Sequence, residues 1–173
     1  MISKELIILL KQTFQLDWKG IHGVSHWARV RLNGLLIAQQ NGANQRVVEL
    51  FAFLHDIKRE DDFDDPHHGE RAAQFIQTLP HQLLVINEEE KELLMCACAD
   101  HSKGFVKGDI TVRTCWDADR LDLGRAGLRP NTQKLCTELA KVPEFFEQAY
   151  QRAIYQHRVP SNTPMVQQWK PNQ

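Results

Sequence analysis

The stretch Phe51-Ala52-Phe53-Leu54-His55-Asp56 constrains this chain more than any other. Val47, Leu50, Phe51 and Leu54 recur at helical spacing, on a helix that Asn44 caps and that is expected to end near Lys58. His55 stands eight residues after Val47 and four after Phe51, so it shares their apolar face, and Asp56 follows it. An imidazole and a carboxylate set into an apolar face are costly unless something neutralises them. A metal ion meets that need.

The remaining segments also read as helices. Ser3 caps a first helix to about Phe14, on which Leu6, Ile7, Leu10 and Phe14 form one stripe. A second runs from about Ser25 to Gln40, where Asn41-Gly42 stops it. Asp65-Pro66 starts a fourth, ending near Thr78. Asn87 and Glu90 have capping-box spacing and open a fifth, to about His101. A sixth covers about Thr111 to Leu123, a short one follows Asn131, and a last one follows Pro143 to about His157. No convincing strand alternation, repeat or low-complexity tract interrupts them. The chain is therefore expected to be all-α: one helical domain over residues 1–159, then an extended, partly mobile tail over 160–173 that carries Pro164 and Pro171.

Bulk properties narrow the class. A length of 173 residues suits a single core. A net charge of -1, with no basic stripe or zinc finger, argues against nucleic acid or an acidic membrane as partner. The apolar run Leu6 to Leu10 is too short for a membrane span or a secretory leader. Cys96, Cys98, Cys115 and Cys136 form no C-x-x-C pair and read as reduced thiols of a cytoplasmic protein. Eight histidines are the one compositional oddity.

Several of those histidines face inward. His68 aligns with Ala72, Phe75 and Leu79, whereas His67 shares a polar face with Arg71, Gln74 and Thr78. His101 follows the face of Leu94 and Ala97, and His26 that of Val30 and Ile37. Asp117 aligns with Ile110 and Leu121, although periodicity leaves Asp119 open as well. Each group alone is ordinarily a hydrogen-bonded core residue or a cap. Together they are too many polar groups for one core to satisfy without water or a cation.

The ordered set His26, His55-Asp56, His68, His101 and Asp117 resembles the HD-domain metal-dependent phosphohydrolases, all-α proteins named for the adjacent His-Asp pair. Gly23-Val24-Ser25-His26-Trp27-Ala28-Arg29-Val30 is similar to the family's first-histidine helix, Leu54-His55-Asp56-Ile57 to its core motif, and Asp117-Ala118-Asp119-Arg120-Leu121-Asp122 to its distal aspartate segment. The likeness spans about residues 20–125. It implies an ion held by His26, His55, Asp56 and Asp117. His68 and His101 either complete a second ion with Asp56 bridging, or contact substrate around a single one. Imidazole and carboxylate donors suit Mn, Fe, Co, Ni or Zn. The implied reaction is hydrolysis of a small phosphomonoester or nucleotide by metal-activated water, with Asp56 as ligand and orienter. Lys58 and Arg120 are the expected phosphate-binding cations, with Lys103 also near; Arg59 and Lys103 taken singly read more simply as surface charges. Trp27 and Trp116 read as core packing that neighbours the ligands. The chain lacks the extended Gly-Tyr-Pro motif of the cyclic-dinucleotide phosphodiesterases, which disfavours that substrate class. Two other functions fit the pattern: a di-iron oxygenase of the same fold, and a non-catalytic metal-binding regulatory module. Oligomeric state is open, because the apolar last helix (Phe145, Phe146, Tyr150, Ile154) suits an internal or an external partner.

Overall fold

The computed structural model describes residues 2–158, so the tail expected from 160 onward lies outside them. Nine α-helices and two 3-10 turns account for the regular structure of the described residues, which contain no strand. The helices are α1 (Lys4–Thr13), α2 (Val24–Asn41), α3 (Gln45–Leu54), α4 (His68–Thr78), α5 (His81–Leu84), α6 (Glu88–Asp100), α7 (Ile110–Arg120), α8 (Glu138–Lys141) and α9 (Pro143–Arg158). Ser3, Asn44 and Asn87 cap α1, α3 and α6 through their side chains, the last within a full capping box with Glu90.

Departures from the expected boundaries have local causes. Helix α3 stops at Leu54, and residues 55–58 form a turn, although the His55 N–H still bonds to the Phe51 carbonyl at 3.0 Å. Helix α4 starts at His68 rather than at Pro66, because Asp65 does not cap it. The Asp65 carboxylate instead accepts from the Glu60 N–H at 2.8 Å and from Arg71 at 2.6 Å. The short α5 was not expected. It ends on Val85 at φ 53°, where a β-branched residue gives no stop signal of the kind glycine provides.

Helix α2 packs against both α3 and α7, and α6 against α3, α4 and α7. Gly34 permits the first arrangement: a Cβ there would lie 2.5 Å from Val48 Cγ1 on α3 and 3.2 Å from Ala118 Cβ on α7. The main core joins Leu10, Trp27, Phe51, Leu54, Leu94 and Trp116. A smaller cluster of Ile37, Leu121, Leu135, Ala140, Phe146 and Ala149 seats α9 on the body of the domain, so its apolar face packs internally. Cys98, Cys115 and Cys136 are buried, Cys96 is exposed, and all are free. Among the described residues no helix is long and apolar enough to cross a membrane.

Candidate metal centre

Six side chains from five separate segments meet inside the bundle. His26 comes from the first turn of α2, His55 and Asp56 from the turn after α3, and His68 from the first residue of α4. His101 follows α6 directly, and Asp119 lies in the last turn of α7. All six are buried. Their inward atoms fall into two groups. His26 Nε2 and His55 Nε2 are 3.0 Å apart, with Asp119 Oδ1 at 3.5 and 3.8 Å from them. His68 Nε2 and His101 Nε2 are 2.8 Å apart. Asp56 spans the two: its Oδ2 lies 3.5 and 3.4 Å from His26 and His55, and its Oδ1 lies 3.3 and 3.7 Å from His68 and His101.

The outward nitrogens decide what the inward ones can do. Nδ1 of His55, His68 and His101 each face a backbone carbonyl, of Phe51, Asp65 and Cys98 respectively. A carbonyl only accepts, so each Nδ1 carries the proton. His26 Nδ1 faces the Asp122 carboxylate at 2.7 Å, with the same consequence. In the neutral rings, all four Nε2 atoms therefore present lone pairs to the interior. Two close Nε2–Nε2 pairs then have no hydrogen between them. Asp56 Oδ1 and Asp119 Oδ1 are also buried without a hydrogen-bond partner. Donors about 2.0–2.2 Å from a shared ion lie roughly 3 to 3.6 Å apart, close to the spacing seen here. His26, His55 and Asp119, and likewise His55, Asp56 and His101, could each hold a metal ion.

Electrostatics favour a cation in the same place. Burial opposes ionisation of Asp56, but His55 and the neighbouring imidazoles outweigh it and hold the carboxyl well below the usual range. Burial likewise opposes charge on Asp119, and Arg125 and His55 overcome it. His55 is pushed upward, since Asp56 outweighs the burial that would lower it. His68 drops to about 4, first through burial and then through the proximity of His101, so it is a neutral donor at ordinary pH. Protons and metal ions compete for such a centre.

Asp117 does not reach this cluster. Its carboxylate accepts from the backbone N–H of Cys136 at 2.8 Å, and from the backbone N–H and hydroxyl of Thr137, both at 2.7 Å. It ties α7 to residues 136–137, and Asp119 occupies the position expected of it. Periodicity could not choose between them, because α7 is buried at nearly every position from Thr111 to Arg120. Asp122, left without a role by the sequence, orients His26 and pairs with Arg29 at 2.5 Å.

The expected cations are placed differently as well. Lys58 Nζ sits 5.7 Å from the Phe75 ring centroid, and Lys103 pairs with Glu70 and Asp100 at 3.0 and 3.1 Å. Neither lines the cleft above the centre. Arg120 does line it, but its guanidinium donates to the carbonyls of Lys134 and Phe105, both at 2.6 Å. The cleft encloses about 640 Å³, with Asp56, His68, His101 and Asp119 in its lining. Arg59 and Arg125 also line it; by sequence Arg59 reads as a surface charge and Arg125 has no role. Arg59 has the weak signal of following the His-Asp pair. Arg125 has none, being brought in by α7 and the 3-10 turn after it. Trp27 and Trp116 are core residues, and Trp116 Nε1 donates to the Ala97 carbonyl at 3.1 Å.

Gly69 sets how close α4 and α6 can come. A Cβ there would lie 2.4 Å from the Cys98 carbonyl oxygen, the atom that holds His101 Nδ1. Gly69→Ala is therefore expected to cost about 1–3 kcal/mol through overpacking. It should also weaken metal binding by displacing His101 from His68. Thermal unfolding and metal titration of the variant check both effects; an unchanged melting temperature would show that the helices can yield there.

No protein-family model and no curated protein matches the chain. Among solved structures, it is similar to a predicted HD superfamily hydrolase from an uncultured Thermotogales bacterium. The two are 24% identical, with a TM-score of 0.66 over 86% of this chain and 84% of that one. The helical order and the superposition agree: this chain has the HD-domain fold.

Proposed function

We propose that this protein is a metal-dependent phosphohydrolase acting on a small phosphate ester or nucleotide. One observation carries the reading: four inward imidazole lone pairs and two carboxylate oxygens without donors, gathered beside a cleft of about 640 Å³. His26, His55, Asp119 and Asp56 Oδ2 would hold one divalent ion, and His68, His101 and Asp56 Oδ1 a second. When bound, such ions supply Lewis acidity and a water that ionises near neutral pH.

The chain's own contribution is a fixed frame. Each ring is held through Nδ1, so little reorganisation remains when the site is used. Asp56 and Asp119 stay ionised and keep the centre available to cations. The reaction that suits the frame is in-line displacement at phosphorus: water adds its oxygen, the ester P–O bond breaks, and the alcohol leaves with a proton. Packed walls of α2, α3 and α6 keep bulk solvent from the far side of the imidazoles.

Protein purified without chelator is expected to carry Mn, Fe, Co, Ni or Zn, and to hydrolyse members of a phosphomonoester and nucleotide panel. Chelation should abolish turnover and lower stability, and restoring the ion should reverse both. At an ion concentration 100 times Kd the stabilisation is about 2.7 kcal/mol. Bound metal with no turnover on any ester would favour the regulatory reading. Oxygen consumption by the iron-loaded protein would favour the oxygenase.

A further inference from the structure

Arg59 and Arg125 stand at opposite ends of the centre in matching poses. Arg59 anchors its Nε on the Asp61 carbonyl at 2.9 Å, and Arg125 anchors its Nε on the Ile21 carbonyl, also at 2.9 Å. Arg59 Nη1 lies 3.1 Å from His68 Nε2 and 3.6 Å from the partnerless Asp56 Oδ1, and Arg125 Nη1 donates to the Asp122 carbonyl at 3.1 Å and lies 3.8 Å from the partnerless Asp119 Oδ1. Both carboxylate distances exceed a hydrogen bond. Both side chains are largely buried, 11% and 6% exposed, so neither charge is fully solvated. Among the described residues, neither Nη2 has a protein hydrogen-bond partner, and both guanidiniums line the cleft. A desolvated guanidinium with an unused edge on a cleft is a site for an anion. The two cations expected from sequence are unavailable, Lys58 lying over Phe75 and Arg120 bound to main-chain carbonyls.

Away from the centre the wall changes character. Ile21, Leu123, Phe63 and Leu128 line it, and Phe63 and Leu128 are 89% and 58% exposed. Asp62, the acidic group on this side, is occupied by His22 Nδ1 at 2.8 Å.

We infer that Arg59 and Arg125 form a two-ended clamp for one tetrahedral oxyanion, one guanidinium beside each histidine pair, with the organic part of the ester lying on the apolar wall. The choice of phosphate as the anion rests on the phosphohydrolase reading. The substrate class is then a monophosphate ester of an apolar or aromatic alcohol. The arginines act as substrate-positioning groups through charge-assisted bonds to non-bridging oxygens.

The test is calorimetric titration of inorganic phosphate into the full-length, Mn-loaded protein. Wild type binds, and Arg59→Met and Arg125→Met each weaken binding about tenfold or more. Arg59→Lys recovers part of the loss, and every variant is titrated with phosphate at saturating Mn, because both arginines lie beside carboxylates of the centre. Should Arg125→Met fail to fold through loss of the Ile21 contact, Arg59→Met decides, because its own anchor is local. Phosphate binding unchanged in Arg59→Met, or absent in wild type, overturns the clamp. Phenylphosphonate should bind more tightly than methylphosphonate, and Leu128→Ser should narrow the gap; equal affinities in wild type overturn the apolar wall. The two readings fail separately. Ester turnover indifferent to Arg59→Met removes the clamp and leaves the hydrolase. Arginine-dependent phosphate binding without turnover on any ester removes the hydrolase and leaves the clamp.

Discussion

Asp56→Ala is expected to reduce bound metal to background and hydrolysis on the order of 10³-fold, the scale of several kcal/mol of Lewis-acid stabilisation. Among the described residues Asp56 alone reaches both histidine pairs, one oxygen to each. Its removal takes a donor from both halves and leaves Asp119, beside His26 and His55, as the remaining carboxylate donor of the cluster among the described residues. The fold should persist, since Asp56 Oδ1 has no hydrogen-bond partner and no donor is left stranded on that side. His67→Ala is the control: that ring pairs with Glu70 and is 72% exposed, on a face away from the cluster. Elemental analysis and turnover of the two variants decide the matter. Metal retained by Asp56→Ala at the wild-type level would mean that the cluster is not the ion site.

Asp117→Ala and Asp119→Ala should fail in opposite ways, although a single residue, Ala118, separates them. Without Asp117, the N–H groups of Cys136 and Thr137 and the Thr137 hydroxyl lose a buried acceptor. At about 1–3 kcal/mol for each stranded group, shared and partly relaxed, the loss is about 3–5 kcal/mol. That corresponds to a melting temperature lower by roughly 10 °C for a chain of this size. Whatever folds should bind metal normally. Asp119→Ala strands no donor, because its Oδ1 has no partner, so stability changes little in metal-free protein. Its metal binding should fall, with the His26–His55 half affected first. Thermal melts with and without added Mn separate the pair. Loss of metal response in Asp117→Ala, with Asp119→Ala unaffected, would restore the assignment made from sequence and overturn the one made from geometry.

The architecture was legible because helical signals are local. Ser3, Asn44, Asn87 and Glu90 state where helices begin, and the spacing of Val47, Leu50, Phe51 and Leu54 states which face is buried. The inward aim of His26, His55, His68 and His101 followed from the same periodicity, because each shares a face with an apolar residue four positions away, His26 the most weakly. Helix α7 has no such face, being enclosed on nearly all sides, and there the choice between Asp117 and Asp119 had no local basis.

Sequence by itself determined an all-helical chain with four imidazoles, one of them in a His-Asp pair, turned toward one interior. Only the tertiary structure decided which distal aspartate joins them, that Asp122 and three main-chain carbonyls hold the rings, and that Arg59 and Arg125 flank the result. The physical reason is range. A helix face is set by residues three and four apart, whereas the partner of a buried charge is set by packing between segments: Arg125 meets the Ile21 carbonyl across 104 residues, and His26 meets Asp122 across 96.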